Sequence, residues 1–141
     1  FLSSEIKYPI TDAYKVANHS LLNLLEELEI NPKEAELFER ITNGKLAELQ
    51  ESSIQSSGYV IHTLEASIWC LLTTNSYEEA VLKAINLGED TDTTGAVVGG
   101  LTGLFYGMKS IPNEWIDKIA RKEDIEELTN KLSDKYKIAS C

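Results

Sequence analysis

Asp90 and Asp92 flank a single threonine and are followed at once by Thr93 and Thr94. Carboxylate and hydroxyl oxygens at this spacing suit a hard cation, Mg²⁺, Mn²⁺ or Ca²⁺, and no Cys or His stands close by to favour a softer one. A plainer role is available to the same letters. Asp92 or Thr93 at the mouth of a helix would cap its free amides, with the helix dipole favouring the negative charge. Two further chemistries can be tested on spacing. A calcium loop of the EF-hand type starting at Asp90 places Gly95 correctly at its sixth position, but its twelfth, which needs a bidentate Glu, is Leu101. Asp90, Asp92 and Thr94 also match an Asp-x-Asp-x-Thr phosphotransfer pattern. There, however, the nucleophilic Asp ends a buried strand, and the segment before Asp90 reads as a helix.

The elements that must position these residues follow from periodicity. Ala13, Val16, Ala17, Leu21, Leu24, Leu25 and Leu28 recur at three- and four-residue steps, which predicts an amphipathic helix from Thr11, capped by Thr11 or Asp12, to about Glu29. Asn31-Pro32 opens a second helix with Glu34 placed for a capping box, and Asn43-Gly44 closes it. A short helix from Lys45 to about Glu51 precedes the polar run Ser52 to Gly58, which reads as a loop. Apolar residues cover more than one face between Tyr59 and Leu72, so a buried helix is expected. Ser76 and Glu79 form a capping box for the next helix, whose inner stripe is Ala80, Val81, Ala84, Ile85 and Leu87, and Gly88 stops it.

Beyond the acidic cluster, glycines at 95, 99, 103 and 107 fall every fourth residue and line one side of a helix, where another backbone is expected to approach. Each costs roughly 1 kcal/mol of helix propensity relative to Ala, so that face should be buried to offset it. Ser110-Ile111-Pro112 begins a helix carrying Trp115, Ile116 and Ile119, and Asp124 to about Tyr136 makes a charged last helix with Ile125, Leu128 and Leu132 inside. No long alternation of polar and apolar residues appears. The expected fold is all-α, one compact multi-helix domain over residues 1–141, built around the segment from 59 to 107.

The chain has 141 residues, 13 Lys plus Arg against 23 Asp plus Glu, and a formal net charge of -10. That balance argues against a nucleic-acid binder, which needs a cationic face. Its 43% apolar and 26% charged residues are those of an ordinary folded domain. Apolar runs broken by Glu65, Lys83 and the glycines fall short of the roughly 20 residues of a membrane span. No secretory leader pattern opens the sequence, and two cysteines, Cys70 and Cys141, make no disulfide framework, so a cytoplasmic, reducing setting is expected. The first residue is Phe1 and not Met, which suggests a piece of a longer polypeptide.

Taken together, Ser57-Gly58-Tyr59-Val60, Thr63-Leu64-Glu65-Ala66, Ile68-Trp69, Ser76-Tyr77-Glu78-Glu79-Ala80-Val81, Asn86-Leu87-Gly88-Glu89-Asp90-Thr91-Asp92-Thr93 and the stretch from Gly99-Gly100 to Tyr106-Gly107 resemble the C-terminal half of the ADP-ribosylglycohydrolases. The resemblance is strongest over residues 56–117. It implies an all-α fold with two Mg²⁺ or Mn²⁺ ions in a cleft and hydrolysis of the glycosidic bond joining ADP-ribose to a protein side chain or small acceptor. By position, Asp90, Asp92 and Thr93 match the family's C-terminal metal ligands, and the loop holding Gly58 and Tyr59 matches the region near ADP-ribose. Two positions depart from the family pattern: Glu89 stands where Gly is common, and His62 where relatives often carry Asp. The family's N-terminal Thr-Asp-Asp run and the acidic residue that assists the water are absent from these 141 residues, so no catalytic residue beyond the metal ligands is assigned.

Three readings follow. In the first, the chain is the C-terminal portion of such a hydrolase, acting on an ADP-ribosylated protein or small molecule once joined to an N-terminal half from the same precursor or a second chain. In the second, it is a non-catalytic module that binds ADP-ribose or a related nucleotide through Gly58 and Tyr59. In the third, it is a helical protein-interaction domain whose acidic cluster only caps a helix.

Overall fold

The computed structural model describes residues 9–136, and every regular element among them is helical. The α-helices are α1 (Ile10–Glu27), α2 (Pro32–Ala35), α3 (Glu39–Thr42), α4 (Val60–Leu72), α5 (Tyr77–Asn86), α6 (Thr91–Tyr106), α7 (Asn113–Ile116) and α8 (Lys122–Tyr136). Single 3₁₀ turns at Glu36–Phe38, Leu46–Glu48, Glu51–Ser53 and Met108–Ser110 join several of them. The all-α expectation therefore holds, and the segment from 59 to 107 is its centre, as α4, α5 and α6 pack on one another.

Small residues make that packing close. Ala66 of α4, Ala80 and Ala84 of α5 and Val98 of α6 are fully buried, together with Trp69, Cys70, Leu46 and Ile54. The glycine row meets side chains of α5, and not the second backbone that its spacing predicts. A Cβ on Gly95 would lie 3.1 Å from Ile85 Cγ2, and one on Gly99 would lie 3.3 Å from Tyr77 Oη. Gly107 leaves the row altogether. It ends α6 at φ 82, a left-handed backbone that glycine adopts at no steric cost.

Polar side chains tie the 3₁₀ connections to this centre. Glu65, 5% exposed on α4, accepts Nε and Nη2 hydrogen bonds from Arg40 at 2.7 and 2.8 Å, and the same guanidinium donates to the Ser53 carbonyl at 2.9 Å. A buried carboxylate is tolerated because a two-pronged partner satisfies both its oxygens. Trp69 Nε1 donates to the Leu49 carbonyl at 3.1 Å, while Lys83 Nζ sits 3.7 Å above the Trp69 ring and donates to Thr73 Oγ1.

Caps differ from the sequence reading in detail. Ser76 caps α5 by accepting from the Glu79 amide at 3.1 Å, but the Glu79 carboxylate returns to the Asn75 amide, one residue earlier than a capping box requires. Asn31 caps α2 through the Lys33 amide, and Pro9, not Thr11 or Asp12, occupies the N-cap of α1. The expected helix from Lys45 to Glu51 is two separate 3₁₀ turns.

The larger correction concerns which faces are covered. Val16 and Leu24 of α1 and Leu28 just beyond its end are 66%, 47% and 60% exposed, and α1 instead anchors through polar groups: Tyr14 Oη and Asn18 Nδ2 both donate to the Ile41 carbonyl. Ile125, Leu128 and Leu132 of α8, expected inside, are all more than half exposed. Amphipathic period identifies a face able to be buried, but the partner that buries it must be present, and none of the described elements supplies one.

Candidate functional site

The acidic cluster opens α6, and its position is fixed by a turn and a loop. α5 ends at Asn86, and the chain then passes through two consecutive left-handed residues, Gly88 at φ 83 and Glu89 at φ 56. Glycine tolerates that backbone freely, whereas a residue with a Cβ pays for it, which explains why Gly suits position 89 and makes Glu89 a strained choice. Across from this turn lies the loop from Ser56 to Tyr59. Ser56, 2% exposed, donates its hydroxyl to the Gly88 carbonyl at 2.8 Å, and its own carbonyl accepts the Asp90 amide at 3.1 Å. Sequence periodicity had no way to single out Ser56, which sits in an unpatterned polar run.

Gly58 then comes directly against the first carboxylate. A Cβ at Gly58 would stand 2.8 Å from Asp90 Oδ2, so a side chain there would push the carboxylate out of the position it holds. The loop and the acidic cluster singled out in the sequence thus meet at Gly58 and Asp90. Ser57 Oγ lies 2.7 Å from His62 Nδ1, and the His62 ring meets the Tyr59 ring edge-on at 5.1 Å between centroids. His62 therefore braces the loop from the first turn of α4, while Tyr59 remains 46% exposed.

Asp90 occupies the N-cap position of α6, so the expectation of capping by Asp92 or Thr93 is replaced: both lie in or next to the first turn with exposed side chains. The Asp90 carboxylate forms no cap of full hydrogen-bond geometry. The Thr93 hydroxyl, first, and then the Asp92 carboxyl hold Asp90 below the usual carboxylate range, against a small opposing effect of burial and with a weaker pull from the Thr93 amide. These neighbours favour the charged form of Asp90.

Thr94 turns the other way. Its side chain is buried with Val98 and Thr102, and its hydroxyl finds no partner among the described residues. Together with the helical α5 before the motif, this removes the phosphotransfer pattern, which would need Thr94 at the site. Among the described residues no three His, Cys, Asp or Glu side chains cluster as a complete metal cage. Two open grooves, about 490 and 430 Å³, are lined by Gln50, Glu51, Ser52, Ile54 and Leu87 and by residues of α1 and α2 with Ile30, and neither is lined by the acidic cluster. The carboxylates face outward. As a donor set, two carboxylates and a hydroxyl fit a hard divalent cation, with coordination positions left over for other ligands.

The sequence pattern of the ADP-ribosylglycohydrolase family matches residues 6–139. The chain belongs to the ADP-ribosylglycohydrolase family. It is 41% identical over 92 residues to the ADP-ribosylarginine hydrolase Tri1 of Serratia proteamaculans, a match covering 65% of this chain and 25% of that protein. It is 35% identical over 72 residues to the ADP-ribosyl-[dinitrogen reductase] glycohydrolase of Rhodospirillum rubrum, covering 51% and 24%, and 28% identical over 142 residues to mouse ADP-ribosylhydrolase ARH3, covering 79% and 38%. The chain thus spans about a quarter to two fifths of the length of these relatives. Among the described residues no helix is long and apolar enough to cross a membrane.

Proposed function

We propose that this ADP-ribosylglycohydrolase-family chain supplies one wall of a divalent-metal-dependent active site that hydrolyses the glycosidic bond between ADP-ribose and a protein side chain or small acceptor. The single observation that carries the proposal is the contact of the Gly58 loop with Asp90, which unites a candidate sugar-binding loop and a candidate cation site. Asp90, Asp92 and Thr93 would hold the cations, Mg²⁺ or Mn²⁺, two in the complete site. A bound divalent cation supplies Lewis-acid stabilisation of negative charge developing during hydrolysis. The chain's own part is to place oxygens. Asp90 and Asp92 would supply carboxylate oxygens to a cation; Gly58 leaves room for the Asp90 carboxylate; Tyr59 offers an exposed ring on which a base can stack. In the overall reaction the water oxygen joins the anomeric carbon, the bond from that carbon to the acceptor breaks, and the acceptor atom takes up a proton.

The other wall, with the remaining cation ligands and the acid that assists the water, comes in this reading from an N-terminal half, as part of the same precursor or as a second chain. The exposed apolar faces of α1 and α8 support it, since relatives of the chain carry much more polypeptide to cover them. The buried, unpaired Cys70 thiol and the paucity of cysteines fit a reducing, cytoplasmic setting. Substrates named for the relatives, ADP-ribosylarginine and modified dinitrogen reductase, mark the class to try first. The test is turnover of ADP-ribosyl-arginine by the 141 residues alone and joined to a family N-terminal half. Expected is activity only in the joined form, lost on Asp92→Ala with unchanged circular dichroism. Full turnover by the 141 residues alone overturns the divided site, and ADP-ribose binding that is indifferent to metal, without hydrolysis, favours a binding module instead.

A further inference from the structure

The turn that aims Asp90 is expensive. Two successive left-handed residues, the second a glutamate, precede it, and neither α5 nor α6 contributes a hydrogen bond that would hold the Gly88 carbonyl. What holds it is a residue 32 positions earlier: the buried Ser56 hydroxyl reaches the Gly88 carbonyl at 2.8 Å while the Ser56 carbonyl takes the Asp90 amide at 3.1 Å, gripping the turn on both sides of Glu89. The same loop puts Gly58 against Asp90 Oδ2, and any movement of the turn away from the loop opens the clasp.

We propose that Ser56 is a positioning residue for the Asp90 carboxylate: its two hydrogen bonds hold the strained 88–90 turn in the conformation that presents Asp90 beside Asp92 and Thr93. This rests on the cation-binding reading above and goes beyond it by assigning the outer support of the first ligand. Partners of metal ligands commonly matter for metal affinity by about ten- to a hundredfold. Ser67 provides the control. It is a second fully buried serine on the neighbouring α4, donating to the Thr63 carbonyl at 2.7 Å, and it touches neither the turn nor the cluster.

The experiment measures two quantities on the isotope-labelled 141-residue chain by NMR: hydrogen exchange of the Asp90 amide with no metal present, and the Mn²⁺ concentration that half-broadens the Asp92 and Thr93 resonances. Ser56→Ala is expected to speed Asp90 exchange and raise the half-broadening concentration by roughly tenfold or more, while Ser67→Ala changes neither. Wild-type values for both in Ser56→Ala, or equal shifts in Ser67→Ala, overturn the proposal. Glu89→Gly relieves the left-handed strain and serves as a background in which folding is secure; there Ser56→Ala is expected to have a smaller effect in the same direction, and no effect on either quantity overturns the clasp. Asp90→Asn separates the two claims. If it leaves Mn²⁺ broadening unchanged, the cation reading itself fails; if it abolishes broadening while Ser56→Ala is inert, only the clasp fails.

Discussion

At the scale of single residues, chemistry and burial pull the ionisable groups in opposite directions. The neighbours of Asp90, the Thr93 hydroxyl first, favour its charged form, whereas Cys70, with no exposed surface, is kept neutral: desolvation pushes its thiol from 9.0 up to about 12, opposed by the Lys83 charge and reinforced by Glu51. Because the folded state holds its proton more tightly than the unfolded chain, the contribution of Cys70 to stability is whole below pH 9 and is lost progressively as pH rises from 9 toward 12. Denaturation midpoints are therefore expected to fall above pH 9 in the wild type and to fall less in Cys70→Ala, a comparison made within each variant. A midpoint as flat with pH in the wild type as in the variant would contradict the buried, neutral thiol. The residue types at 90, 92 and 93 were legible in the sequence because carboxylates and hydroxyls carry their chemistry with them. Ser56 was not, because its importance lies in what it faces.

At the scale of elements, α6 shows how a helix rich in glycine is held. Gly95 and Gly99 sit beneath Ile85 and Tyr77 of α5, so their missing side chains make room for a neighbour, but Gly100 has nothing within 4 Å of where a Cβ would stand. Gly100→Ala should accordingly stabilise the chain by about 1 kcal/mol, the helix-propensity difference alone. Gly95→Ala should gain less or lose, because Ile85 must move from 3.1 Å. Urea denaturation of the two variants gives the ordering, and equal gains would show that the glycine row has no packing role. Periodicity placed Gly95, Gly99 and Gly103 on one side of α6, but Gly107 lies beyond the helix and the row is only half-buried, because what lies against it depends on how α5 packs on α6, which no spacing within α6 encodes. The same holds for Glu65, whose burial in an otherwise apolar helix depends on Arg40 arriving from α3.

At the scale of the whole molecule, the surface divides into a consolidated centre and two open apolar faces. Leu128 and Leu132 of α8 are 70% and 53% exposed, so replacing both with Lys should change the stability of the 141-residue chain by no more than about 0.5 kcal/mol. The same double variant should weaken assembly with a family N-terminal half, read as a drop in co-elution on size exclusion. A large fall in the midpoint of the chain alone would mean that α8 is covered from within. A net charge of -10 and the outward-facing carboxylates agree with cations or basic groups as what the site attracts, since the field of the chain favours them before any contact forms.

By itself the sequence determined the helical class and the centre of the fold between residues 59 and 107, and it singled out Asp90, Asp92 and Thr93 as candidate oxygen donors, because helical period, caps and side-chain chemistry are local properties of the chain. Only the tertiary structure decided that Gly58 lies against Asp90 Oδ2, that Ser56 grips the turn from 32 residues away, that Thr94 faces inward, and that the stripes of α1 and α8 stay open. Those are outcomes of which segments meet in space, and a free energy of contact belongs to a pair of surfaces, never to one of them alone.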